Sequence, residues 1–285
     1  MNDKRLRLLV LTQGGCELAL NRLLELECAE IAGIFIETDI IRRRSLREKV
    51  ARSVKYDGYA ATLVKFARRL LGAAGFRDQE IKAISESRDR LGEIARQNGV
   101  PVHLVDNYHS ETSLRLMREA DSDLGIVLGT NILKESVFAI PRLGSINLHQ
   151  GLAPYYRGGP SVFWELSNGE REVGLTVHFV APKVDTGDIV LQRTVPLEYD
   201  YSYRLDYQSF IRDYRQKLKV PSANLVAEAV RVIADGSAVL IPQQTDLGKR
   251  YRLPTKKQKD ELRRRLIERR RLQTFALAQK SHGGD

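Results

Sequence analysis

The chain has 285 residues, 46 Lys or Arg against 36 Asp or Glu, a formal net charge of +10, and 42% hydrophobic residues. That length and balance predict one folded core of about 200 residues with additions, and exclude a disordered chain. No apolar run approaches the ~18 residues of a membrane-spanning helix, so no membrane association is expected.

Only Cys16 and Cys28 are present. They suit a reducing, cytoplasmic compartment as small buried thiols and offer no metal-ligand spacing, so no metal is expected. The opening MNDKRLRLLVLTQGG has the basic start of a signal peptide. Its unbroken apolar run, Leu8 to Leu11, is short and leads into Gly14-Gly15, which better fits a first strand buried on both faces over 5–12. A helix over about 16–27 and a strand over 31–37 follow. Strand, Gly turn, helix and strand make a nucleotide-binding type of beginning. The G-x-G-x-x-G fingerprint is absent, so no dinucleotide is expected. The helix start suits an anion, but Glu17 in its first turn competes for the same N–H groups.

Residues 40–97 read as an inserted helical stretch. Arg42, Arg43, Arg44, Arg47, Lys49, Arg52 and Lys55 make it basic, and Tyr59, Leu63, Phe66, Leu70 and Leu71 recur at helical spacing. The pattern predicts a helix covering the sheet with a solvated basic face; a lid recognising an acidic substrate is the alternative. A strand over 101–105, a helix over about 110–120 and a strand from Leu124 to Leu128 come next, then the loop Gly129 to Leu133.

Residues 143–149 read as a short strand, with Ile146 and Leu148 on one face and Asn147 and His149 on the other. Asp185 sits in the turn Val184-Asp185-Thr186-Gly187, after the mostly apolar run Leu175 to Val180. Strand end and turn can bring a carboxylate to an imidazole. Alone, an Asn-x-His pair fits loop capping as well as chemistry. A strand from Ile189 to Val195 leads to Tyr199, Tyr201, Tyr203 and Tyr207, expected as half-buried packing residues. Residues 204–235 look helical, with Pro221 marking an interruption or a new helix start. Ala238 to Gln243 is a short extended piece. Residues 246–285 hold 13 Lys or Arg against 5 Asp or Glu. Over 256–275 they predict a solvated helix docked by one narrow stripe of Leu262, Leu266, Ile267, Leu272 and Phe275. Contact with RNA is the sharper alternative.

Five blocks occur in order: N-L-H at Asn147 to His149; L-x-P-x-x-R-G with Leu152, Pro154, Arg157 and Gly158; W-x-L-x-N-G with Trp164, Leu166, Asn168 and Gly169; G-x-T-V-H from Gly174 to His178; and V-D-T-G-D-I-V from Val184. Together they resemble the folate-dependent formyltransferases, which include glycinamide ribonucleotide, methionyl-tRNA and amino-sugar enzymes. The close match covers about residues 122–192. Gln150-Gly151 stands where the family often has Pro-Ser, and Ala153 replaces a Leu.

The resemblance implies an α/β fold: a Rossmann-like, mostly parallel sheet with helices on both faces, plus a C-terminal helical extension. The chain then divides into a catalytic domain over 1–195 that includes the helical insertion 40–97, a helical extension over 196–245 and, by its charge, a basic tail over 246–285. It implies a catalytic triad of Asn147, His149 and Asp185. It also implies a 10-formyltetrahydrofolate site formed by Asn131, Ile132 and Leu133 on one side and Val184 and Asp185 on the other. The implied reaction is formyl transfer to a primary amine, with an amino-sugar nucleotide or related small amine favoured. Glycinamide ribonucleotide, methionyl-tRNA, hydrolysis of the donor, and folate binding without catalysis are alternatives.

Overall fold

The computed structural model of the chain describes residues 5–38, 46–70, 76–203 and 206–282. In chain order these form β1 (Leu6–Thr12), α1 (Glu17–Leu24), β2 (Ala29–Glu37), α2 (Leu46–Asp57), α3 (Tyr59–Leu70), α4 (Phe76–Gln97), β3 (Val102–Val105), α5 (Glu111–Glu119), β4 (Leu124–Leu128), α6 (Glu135–Phe138), β5 (Ser145–His149), β6 (Tyr156–Gly158), α7 (Phe163–Asn168), β7 (Glu172–Phe179), β8 (Ile189–Pro196), α8 (Tyr207–Ala234), β9 (Lys249–Tyr251) and α9 (Lys256–His282). The main sheet has the order β3-β2-β1-β4-β5-β7-β8. Its first five strands are parallel, and β7 and β8 run antiparallel at one side. The fold is α/β with a mostly parallel sheet, as the sequence implies. Among the described residues no helix is long and apolar enough to cross a membrane.

The continuous apolar run of β1 has the expected cause. Leu8 and Val10 enter one core with Leu20 and Leu23 of α1, Leu91 and Ala95 of α4, and Ala223 to Val230 of α8. Leu9 and Leu11 point the other way, into a second core with Leu114 and Met117 of α5 and Val137 and Phe138 of α6. Alternation along one strand thus builds two helical layers. A third cluster joins Phe163 and Leu166 of α7, Phe210 to Leu218 of α8, and Leu262 and Leu266 of α9.

Three expectations change. The stripe beginning at Tyr59 and Leu63 does not cover the sheet there, since both side chains are exposed. The cover comes from α4. Those of Phe66, Leu70 and Leu71 lie outside the described side chains, as does Phe275. Pro221 neither breaks nor starts a helix; α8 runs through it. Proline removes one N–H and strains the preceding turn, which costs about 3 kcal/mol. Here the halves on either side are anchored in separate cores, which holds the helix continuous. Of the stripe on α9, Leu262 and Leu266 are fully buried but Leu272 is exposed. The extended piece near Ala238 pairs through Ile241 with Ile189 at the start of β8. Tyr199 and Tyr203 pack against the third cluster, as expected of packing residues.

At the carboxyl end of the parallel strands, buried polar groups tie the loops together. The Glu37 carboxylate accepts from Gln13 Nε2 at 2.8 Å, Asn131 Nδ2 at 3.2 Å and the Tyr108 N–H at 3.3 Å. The Tyr108 hydroxyl, wholly buried, faces the Thr12 carbonyl at 2.7 Å and the Phe35 carbonyl at 2.9 Å. Tyr108→Phe removes that donor and leaves buried acceptors unpaired. It is expected to lower unfolding free energy by about 1–3 kcal/mol in urea denaturation.

Candidate functional site

Strand β5 lies between parallel β4 and antiparallel β7, with Asn147 opposite His178 and His149 opposite Thr176. Ile146 enters the core, so Asn147 and His149 share the other face. Asp185 comes from the loop between β7 and β8. Its φ of +52° is a left-handed conformation that Asp tolerates better than most residues. That turn brings the carboxylate onto both imidazoles. Asp185 Oδ2 is 3.5 Å from His149 Nδ1, and Oδ1 is 3.4 Å from His178 Nε2. The Gly158 N–H donates to Oδ2 at 2.8 Å. Asn147 Nδ2 lies 3.3 Å from His178 Nε2, and His178 Nδ1 donates to the Phe179 carbonyl at 2.7 Å.

The three residues expected as a triad therefore cluster, but through a fourth. Asn147 reaches Asp185 by way of His178, which sequence reasoning left inside a motif block without a role. The signal was present. Gly174, Thr176 and His178 alternate with Leu175 and Val177, placing His178 on the polar face beside Asn147.

His149 Nε2 is 2.6 Å from the Tyr156 carbonyl, so both ring nitrogens face acceptors and a ring carrying both protons donates to each. This contact explains Gly151. A Cβ there would lie 2.4 Å from both His149 Nε2 and the Tyr156 carbonyl oxygen. The departure Gln150-Gly151 thus leaves room for the loop to close on the imidazole.

The other expected site residues divide. Asn131 turns its side chain inward to Glu37, and Leu133 is buried in the second core. Ile132 is 67% exposed. Val180, just before the Val184-Asp185 turn, packs against the cluster that holds Leu133, so both loops border one core. Val184 itself is half-buried.

Three other motif residues fasten the chain beyond residue 244. Arg157 Nη2 donates to the Thr245 carbonyl at 2.8 Å, Trp164 Nε1 to the Arg252 carbonyl at 2.9 Å, and Asn168 Nδ2 to the Tyr251 hydroxyl at 2.8 Å. Strand β9 pairs in parallel with β6.

The family model described as Formyl transferase matches residues 78–217. A methionyl-tRNA formyltransferase of Parabacteroides distasonis is 36% identical over 146 residues, 51% of this chain and 43% of that protein. The chain is related to the folate-dependent formyltransferases. The counterpart from Chlorobium limicola is 35% identical over 153 residues, covering 53% of this chain and 45% of its own. The matched stretch thus spans less than half of either relative. Among solved structures, glycinamide ribonucleotide transformylase 1 from Symbiobacterium toebii superposes with a TM-score of 0.53 at 19% identity, over 84% of this chain and 95% of its own. A 4-N formyltransferase from Francisella tularensis gives 0.51 at 15%, over 87% and 76%. At these identities the likeness is one of fold.

Burial opposes the charge on Asp185, but the His178 hydrogen bond, the His149 charge and the Gly158 N–H outweigh it, drawing the carboxyl down to about 2. An acid whose folded pKa lies below its unfolded value near 3.9 adds stability above that value and loses it as pH falls through the folded one. The wild type should therefore lose about 2 kcal/mol between roughly pH 4 and pH 2 that Asp185→Asn does not. Urea denaturation of both proteins across that window measures the difference; parallel curves would remove the ionised carboxylate from the site.

Proposed function

We propose that this chain transfers the formyl group of 10-formyltetrahydrofolate to a primary amine, with Asn147, His149 and Asp185 as its catalytic residues. The observation that carries the reading is the convergence of an amide and two imidazoles of the β5–β7 pair on an ionised carboxylate from the following loop. Formyl transfer develops an oxyanion, and preorganised amide or imidazole donors stabilise such a charge by roughly 3–4 kcal/mol each. His149 can take the proton of the attacking amine and return it to the departing nitrogen, with Asp185 holding the ring. No covalent nucleophile is required if donor and amine are held side by side. Substrate entry exchanges the Tyr156 carbonyl at His149 Nε2 for a reacting group.

The residues assigned to the folate donor fit a flat ring held by backbone. A Cβ built on Gly129 meets nothing within 4 Å, so the loop is open there. With the side chains of Asn131 and Leu133 engaged by the protein, contact falls to backbone groups of Asn131 to Leu133 and the exposed Ile132. The Val184-Asp185 turn would close the other side.

For the acceptor we favour an amino-sugar nucleotide or related small amine. A cavity of roughly 530 Å³ beside Pro160 is lined by Arg52, Arg215 and Lys259 together with Tyr56, Phe163 and Tyr207. Cations suit phosphates and ring faces suit a base. A tRNA-linked amine is the second reading. It is favoured by the methionyl-tRNA formyltransferases among the relatives and by the exposed cations Lys257, Arg263 and Arg271 on α9.

Loss of the formyl donor, followed with and without candidate amines, tests the reaction class. Amine-dependent turnover is expected. Turnover without amine means hydrolysis, and donor binding without turnover means a folate module. His149→Ala should lower turnover at least about a hundredfold; near-normal turnover overturns the catalytic assignment.

Salt separates the acceptors. For a small amine nucleotide, Arg52→Gln should raise the acceptor KM several-fold. Combined Lys257→Gln, Arg263→Gln and Arg271→Gln should leave it unchanged. An acceptor KM that climbs steeply with salt and flattens in the triple variant assigns the acceptor to tRNA, because each neutralised phosphate releases counterions.

A further inference from the structure

A second cavity, of roughly 480 Å³, lies between the loop over 152–156, α7, the strands β7 and β8, and the segment around β9. None of Asn147, His149, Asp185 or His178 lines it. Its lining includes Glu165, in the first turn of α7, with 2% of the residue exposed. The Glu165 Oε2 atom is buried and has no hydrogen-bond partner. A buried carboxylate oxygen without a donor is unfavourable, so its presence beside an open space calls for an occupant that donates.

The nearest cation does not pair with that oxygen. The Arg215 guanidinium is turned to the Ser161 carbonyl, at 2.7 Å from Nη2. Burial, with the Glu170 charge adding to it, pushes the Glu165 carboxyl up to about 7, despite the backbone N–H groups of Glu165 and Val162 and the Arg215 charge. The lining carries two more carboxylates, Glu170 and Glu172, against one cation, Lys249. This excess of negative charge stands on a chain of net charge +10.

The aromatic wall is built rather than incidental. Tyr156 and Tyr251 stack with ring centroids 5.1 Å apart and planes 5° from parallel. Asn168 Nδ2 donates to both hydroxyls, at 2.9 and 2.8 Å, and the Tyr156 hydroxyl donates to Glu170 Oε1 at 2.7 Å. Lys249 Nζ sits 4.8 Å from the Tyr251 centroid, so one cation already uses this wall. Ring faces attract cations, and carboxylates accept their N–H groups in short charge-assisted bonds.

We propose that this cavity binds an organic primary ammonium, with the charged head held at the Glu165 carboxyl and the carbon body against Tyr155 and Tyr156. The site adjoins the triad through one residue. The Tyr156 ring lines the cavity while its carbonyl holds His149 Nε2. The inference stands whether or not the triad transfers formyl groups.

Calorimetric titration of the full chain at pH 8 with benzylammonium chloride, and with benzyl alcohol as the neutral isostere, tests it. The ammonium should bind at least about tenfold more tightly than the alcohol, the step expected of one charge-assisted hydrogen bond. Glu165→Gln should erase the preference. Thr194→Lys, at an exposed lining position of β8, delivers an ammonium from the chain itself and should weaken benzylammonium about tenfold without depending on a change in the core. Equal affinity for the two probes, no heat from the ammonium, or undiminished binding by Thr194→Lys overturns the proposal.

Discussion

One partly buried carboxylate joins β5, β6, β7 and the β7–β8 loop. Asp185 comes from the β7–β8 loop, His149 from β5, His178 from β7 and Gly158 from the end of β6. Its two oxygens meet two imidazoles and a backbone N–H. Removing water from a carboxylate is costly, and these donors outweigh that cost and draw its pKa down. The loop over 150–158 takes its position from the same contacts. The Gly158 N–H binds Asp185 at one end, and the Tyr156 carbonyl binds His149 beside it. Thr176 and Gln192 hold the start of the same loop, through the Gly151 carbonyl and through Ala153.

The loop is held on its outer side too. Arg157, Trp164 and Asn168 all donate to the chain after residue 244, and β6 pairs with β9. A segment that looks by composition like a basic tail is therefore part of the wall around the candidate site. The same attachment encloses the cavity of Glu165, because Leu247, Gly248, Lys249 and Tyr251 complete its lining. Gly248 packs so tightly that a Cβ there would lie 2.0 Å from the Pro154 carbonyl oxygen.

Helix α8 connects the two halves of this arrangement. Its first half packs with α7 and α9, and its second half covers the main sheet beside α1. Stability of the sheet and position of the C-terminal segment are thus coupled through one helix. That accounts for a proline being accommodated in its middle.

The fold was legible from local patterns. A continuous apolar run marked β1 as buried on both faces, Gly14-Gly15 marked the first turn, and alternation at Ile146 and Leu148 placed Asn147 and His149 together. These follow from backbone periodicity and need no partner. Motif resemblance singled out Asp185. What sequence could not decide depended on residues far apart in the chain. The role of His178 follows from its register opposite Asn147. The inward turn of Asn131 follows from Glu37, 94 residues away. The exposure of Tyr59 and Leu63 shows helical spacing without an element to cover. The attachment of residues 245–252 rests on side chains nearly a hundred residues earlier. Amino-acid order alone determined which faces are apolar and which residues can carry charge. Only tertiary packing decided which of those charges meet, because an ion or a buried donor is stabilised by its partner and not by its place in the sequence.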